Sequence, residues 1–295
     1  MADGDMPIKK QLDRDVNRIG DSFVFPPHVM DDIHIKSELG RYRMRGFSLF
    51  KKIPHWDDLT FLPGTLTRFV IEGYREKCET RTLIGPRAKR PIDLDIPVYI
   101  TGMSFGALSY EAKTALARGA TMAGSATCSG EGGMIPDERR YSSKWIYQCI
   151  QSRYDFNPNH LVLADACEFF IGQGCKVGLG GHLMGQKVTD QVAEMRSLPA
   201  GIDQRSPARH PDWLGPDDLA LKIQEIREAT DWQIPIQLKL GAARVYDDVR
   251  MAVKCDPDFI YIDGPDQFNI KKNINGISTR HNDMMPMVSD VLSFE

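Results

Sequence analysis

Glu131 stands between glycines in TCSGEGG (127–133), so a carboxylate is presented on a bare loop beside hydroxyls. That suits an acid/base group whose pKa is set by its surroundings. A solvated turn glutamate is the commoner use of such a residue. Lys239 lies inside the apolar run IPIQLKL (234–240), and two-residue alternation puts it on the same face as Gln237. Two polar side chains facing inward from a strand point to a purpose; the plain alternative is a strand partly exposed at its end, since an unpaired buried lysine is expensive. Lys176 lies in GQGCKVGLGG (172–181), where five glycines let backbone N–H groups approach an anion and the lysine adds fixed positive charge. The loop is neither a dinucleotide fingerprint nor a P-loop: its glycines do not follow G-x-G-x-x-G, and no Ser or Thr follows the lysine. Arg205, Arg209 and His210 in QRSPARHPDW read as loop structure.

These loops need elements to hold them. Short apolar runs alternate with helical patterns from Pro97 onward, the sign of βαβ units and a parallel sheet. Six strands are expected, over 98–102, 125–128, 147–151, 168–171, 234–240 and 259–263. Helices are expected over 109–120, capped by Ser109, and over 188–195, 217–227 and 66–75. The first, second and fourth strands each run into a glycine- and hydroxyl-rich turn: TGMSFGALS, TCSGEGG and GQGCKVGLGG. A (β/α)₈ barrel gathers such ends on one face and a doubly wound sheet gathers them at a crevice, so spacing leaves the two folds undecided.

A net charge of -3 over 295 residues argues against a nucleic-acid partner. The first 20 residues carry no apolar signal region and no later stretch is apolar enough to span a membrane, so the expected location is the cytoplasm. Six cysteines without a C-x-x-C pair read as reduced, buried thiols, with no metal site. Residues 1–22 are a polar lead-in, 23–95 an aromatic-rich N-terminal cap, 96–264 the barrel-like region and 265–295 a polar tail.

From about Phe23 to Gly264 the chain resembles the FMN-binding synthase domain of glutamate synthases, most closely the glutamate-synthase-like large subunit of N-methylglutamate synthase. The resemblance rests on HWDDLTFLP, PVYITGMSFGALS, ATCSGEGGMIP, SSKWIYQCIQSRY, FFIGQGCKVGLGGHLMGQKV, RSPARHPDWLGPDDLA and PIQLKLGA, in that order. It implies a (β/α)₈ barrel holding FMN at the strand ends and reducing an imine formed from 2-oxoglutarate and ammonia. Met103, Ser104, Gly106 and Ala107 would line the flavin with Thr127 nearby, and Lys239 would stand by its ring. Glu131 would be the acid/base carboxylate, and Lys176 and Arg196 would hold the two substrate carboxylates. Glutaminase or ferredoxin-like partner subunits are implied as sources of amine and electrons.

The chain departs from the family in three places. Leu179 and His182 replace Glu and Gln of many glutamate synthases, which favours the N-methylglutamate branch (a methylamine–glutamate N-methyltransferase) and makes His182 a candidate substrate contact. The chain begins Met-Ala, without the cysteine nucleophile of a glutaminase domain. After Gly264 the family's flavin loop, its last two strands with the phosphate site, and its iron–sulfur cysteines give way to different sequence. The expectation is therefore a TIM-type barrel with about six strands, either a flavoenzyme or a non-catalytic remnant.

Overall fold

The structure is a computed structural model that describes residues 25, 27–40, 60, 62–174, 178, 180–264 and 291–292, in two compact units, 1–46 and 47–295. In the first unit, α1 (Pro27–Leu39) stops at Gly40, whose φ of 61° and N–H bond to the Lys36 carbonyl (3.1 Å) make a left-handed cap. No helix was expected there. The helix expected over 66–75 is instead bends and a turn, with Leu66 95% and Phe69 89% exposed. Helical spacing makes a helix only where the apolar face is packed, and this face is not.

In the second unit β1 (Thr82–Ile84) and β2 (Ile92–Leu94) form an antiparallel hairpin that sequence patterning missed. Ile84, Ile92 and Leu94 pack against Ala126, Ile146, Ala166 and Phe259, each within one residue of the start of a sheet strand. The hairpin thus plugs the end of the sheet opposite the glycine-rich loops.

Alternating units follow. α2 (Tyr110–Met122) begins at Ser109, whose hydroxyl accepts the Ala112 N–H, and leads to β3 (Thr127–Cys128). Next come α3 (Pro136–Tyr141), β4 (Trp145–Cys149), α4 (Pro158–Leu161) and β5 (Ala166–Phe170). A ribbon of β6 (His182–Leu183) and β7 (Gln204–Arg205) encloses α5 (Asp190–Arg196) in sequence. The series ends with α6 (Pro216–Ala229), β8 (Ile236–Gly241), α7 (Val245–Lys254) and β9 (Phe259–Asp263). β10 (Val291–Leu292) pairs antiparallel with β9 inside the tail where no strand was expected.

β3, β4, β5, β8 and β9 are parallel and stand side by side in chain order, and Ile100 bridges to Thr127 as a sixth parallel position. A doubly wound sheet reverses its strand order at a switch point. This one never reverses, so it is wound in one direction as a barrel is: a curled, incomplete (β/α) barrel. The expected first strand, 98–102, survives only as that bridge.

Every residue of β4 is buried, as in a sheet covered on both faces. On the outside Trp145, Tyr147, Cys167, Phe169, Ile236 and Leu238 pack against Leu219, Ile223 and Ile226 of α6. Among the described residues no helix is long and apolar enough to cross a membrane. Cys128, Cys149, Cys167 and Cys255 are buried free thiols as expected, whereas Cys78 is exposed and Cys175 lies outside the described residues.

Candidate functional site at the strand ends

Alternation along the strands sends a second set of side chains into the barrel lumen. Gln148, Glu168 and Gln237 share a register row, and Phe170, Lys239 and Tyr261 share the next. The first three are all polar, and the second row sets Lys239 between two aromatic rings. Gln237 is fully buried and donates to Tyr99 Oη (2.9 Å), and its own Oε1 has no partner among the described residues. Glu168 Oε1 accepts from Gln148 and from the Cys128 thiol (3.6 Å), while Oε2 has no partner among the described residues. Burial pushes the Glu168 carboxyl up, against the pull of Lys239.

Lys239 is 2% exposed at the mouth of this lumen. Its Nζ donates to Thr101 Oγ1 (3.5 Å), lies 3.7 Å from Asp263 Oδ2 and sits 4.6 Å from the Tyr261 ring centroid. Burial works to lower its pKa, but Glu168 and then Asp263 outweigh it and hold the ammonium above its ordinary value. A cation is thus kept charged in a dry site by carboxylates behind and beside it. Asp263 also accepts the N–H of Gly174 (3.1 Å), which ties the end of β9 to the loop after β5.

A second cluster surrounds Glu131. Gly130, Gly132 and Gly133 all take positive φ, and a Cβ on Gly130 would come within 2.5 Å of the Met103 backbone. The loop therefore has to be bare for the TGMSFG turn to lie against it. Glu131 Oε1 accepts from Ser206 Oγ, and its Oε2 lies where a side chain on Gly181 would begin. The Phe105 N–H donates to the Glu131 carbonyl (3.1 Å), and the Phe105 carbonyl accepts from Arg196 Nη2 (2.8 Å). Burial lowers the Arg196 pKa, with Glu131 opposing, and its guanidinium lies 5.0 Å from the Tyr154 ring centroid. Arg196 takes this place because α5 packs Val192 and Ala193 under Phe105 and Leu183. The segment from Thr101 to Phe105 runs from Lys239 to Arg196, so one short rim joins the two clusters.

Lys113 fastens that rim. It is 2% exposed on the inner stripe of α2, donates to the carbonyls of Met103 (2.8 Å) and Ser129 (2.7 Å), and pairs with Glu138 Oε1 at 3.0 Å. Burial pushes Glu138 up to about 7, with Lys113 pulling it down. Nothing in the sequence reading singled out Lys113, although a lysine in line with Ala117 and Ala120 on a buried helical face was the available signal. Ser206 and Gln204 were missed as well, because their partners are distant in sequence.

The other expected site residues fall as follows. Met103, Ser104 and Gly106 are half-buried along the rim and Ala107 is exposed. Thr127 faces away from the lumen, its hydroxyl 2.9 Å from Ser142 Oγ. His182 lies on the β6–β7 ribbon with Nε2 3.6 Å from Asp203 Oδ2. Lys176 lies outside the described residues. His210, read as loop structure, is buried with Nε2 2.7 Å from the Phe170 carbonyl, and burial pushes it down to about 4. A cleft of about 100 Å³ lined by Arg87, Arg227, Asp256 and Asp258 lies at the opposite, N-terminal ends of β8 and β9. Its arginines and aspartates pair with one another, so it offers a ligand no free charge.

Residues 62–267 match the family model described as the conserved region in glutamate synthase. A glutamate synthase large subunit-like protein of Rhizobium meliloti (strain 1021) is 52% identical over 244 residues, covering 82% of this chain and 55% of that protein. An archaeal glutamate synthase (NADPH) of Archaeoglobus fulgidus is 31% identical over 257 residues, covering 80% of this chain and 50% of that protein. The chain spans about half the length of the curated relatives it matches. A mandelate oxidase crystal structure overlaps with a TM-score of 0.37 at 17% identity, over 61% of this chain and 50% of that chain, and so loose a likeness carries no argument.

Proposed function

This chain belongs to the glutamate synthase family, and from that premise we propose that its strand-end face binds FMN and 2-oxoglutarate and reduces the imine formed from the oxo acid and ammonia or an amine. The reading rests above all on Lys239, a buried ammonium held charged by Glu168 and Asp263 at the mouth of the lumen. A flavin ring that gains negative charge on reduction wants one such neighbour. The residues present fit the group in two further respects. Gln237 Oε1 and Glu168 Oε2 are buried polar atoms without partners among the described residues, and the rim at Gly102 is bare because a Cβ there would stand 2.8 Å from Gln148 Nε2.

Met103, Ser104, Gly106 and Ala107 would line the cofactor, and Thr127 would contribute only through its backbone, its hydroxyl being bonded to Ser142. Bound FMN would supply a hydride to the imine carbon. The chain's own residues do the rest. Arg196 and Lys176 hold the two carboxylates of the oxo acid, so that the carbon to be reduced faces the rim. Glu131, fixed by Ser206 and by the bare Gly181, delivers the proton that the imine nitrogen needs. Partner subunits of glutaminase or ferredoxin type would provide ammonia and electrons.

A methylamine-derived imine, giving N-methylglutamate, is the second reading. It is favoured by His182, which stands where many glutamate synthases have glutamine and faces Asp203 at 3.6 Å. The purified chain, supplied anaerobically with chemically reduced FMN, 2-oxoglutarate and either amine, should yield glutamate or N-methylglutamate by mass spectrometry. Flavin bound but neither product formed would overturn the assignment.

A further inference from the structure

Two buried nitrogens beside Glu131 have no acceptor among the described residues: Arg196 Nε and Gln204 Nε2. Arg196 is 4% exposed and Gln204 6%. They are joined by one hydrogen bond, Arg196 Nη1 to Gln204 Oε1 at 3.3 Å, which uses the amide carbonyl and leaves its NH₂ unused. Arg196 Nη2 is committed to the Phe105 carbonyl at 2.8 Å. On the Nε side the neighbour is bare, since a Cβ on Gly132 would stand 3.4 Å from that nitrogen. Gln204 reaches this place through the ribbon: it is the cross-strand partner of Leu183, and Leu183 packs with Phe105 and with Val192 and Ala193 of the helix that carries Arg196.

Buried donors without acceptors carry a desolvation cost, and a fold that keeps two of them together is arranged for something that accepts. Both groups donate and one is cationic, so the acceptor is an anionic oxygen. Glu131 does not fill the role, because its Oε1 takes the Ser206 hydroxyl and its Oε2 lies over Gly181. We propose that Gln204 is a substrate-binding residue that donates, together with Arg196 Nε, to one carboxylate of an oxo dicarboxylate. This rests on the 2-oxoglutarate reading above and adds to it a specificity-determining amide.

The test is calorimetric titration of the purified chain with 2-oxoglutarate, paired with thermal melts of the unliganded protein. Gln204→Leu, similar in volume, should weaken binding by about tenfold to a hundredfold, the usual worth of a hydrogen bond to a charged group. It should change the unliganded melting midpoint little, because losing the unsatisfied amide NH₂ offsets losing the long Arg196 Nη1–Gln204 Oε1 bond (3.3 Å). Gln204→Glu should abolish binding by pairing internally with Arg196. If Gln204→Leu binds 2-oxoglutarate as the wild type does, the proposal is overturned. A fall of several degrees in the unliganded midpoint overturns it too, the amide then being a prop for Arg196. A wild type that does not bind 2-oxoglutarate overturns the oxo-dicarboxylate reading itself, and with it this refinement.

Discussion

Replacing Lys113 with methionine removes a side chain that ties the TGMSFG and TCSGEG turns together. The Met103 and Ser129 carbonyls, bonded at 2.8 and 2.7 Å, lose a charged donor in a buried place. At roughly 1–3 kcal/mol for each unsatisfied group, the loss near pH 6 should be about 2–4 kcal/mol, part of it recovered by no longer burying an ammonium. Glu138 then adds a dependence on pH. Its folded-state value is about 7, above the ordinary 4.5. At pH 6 the folded wild type and variant both hold the carboxyl protonated, and the pair contributes little difference.

Above pH 7 the wild type ionises Glu138 against Lys113, whereas the variant must keep it protonated. That costs about 1.4 kcal/mol for each further pH unit until the variant's own raised value is reached. Urea denaturation followed by the fluorescence of buried Trp145 and its fellows, at pH 6 and pH 8, reads both parts. Glu138→Gln in the Lys113→Met background should erase the pH-dependent part and leave the rest. A loss below about 1 kcal/mol at pH 6, or one that is the same at both pH values, refutes the strut.

Two other outcomes follow from the same geometry. Gly181→Ala would put a methyl where Glu131 Oε2 lies, so amine formation should fall by about a hundredfold or more, in line with the cost of a small misplacement at a reacting centre, while FMN binding holds. Steady-state kinetics beside a flavin titration separates the two. His210 is held neutral, down to about 4, so the unfolded chain takes up a proton below pH 6.5 that the folded chain refuses, and its contribution falls as pH drops from 6.5 to 4. Glu138 acts in the opposite sense between 7 and 4.5, so His210→Gln should unmask stability that rises on acidification through that window, measured as denaturation midpoints at pH 7 and 5.

Much of the lumen was legible because alternation is local. Gln237 and Lys239 two apart in an apolar run could only share a face, and both are buried there. The Ser109 cap and the span of β9 were legible for the same reason. The strand order was not, since local pattern fits a barrel and an open sheet alike. It took the register of β5 on β8, across the 65 residues between Phe170 and Ile236, to decide. The 66–75 segment misled because helical spacing records a face without recording whether anything covers it. Gln204 and Ser206 sit in a short ribbon whose strands have only two residues each, too short to leave a periodic signal.

Titration of the purified chain with FMN, followed by quenching of flavin fluorescence, tests the site most directly. The strand-end site should bind FMN saturably and stoichiometrically, Lys239→Met should weaken that binding strongly, and added 2-oxoglutarate should shift the bound-flavin spectrum. Flavin that stays free and fluorescent at every protein concentration, or binding that is indifferent to Lys239, would contradict it.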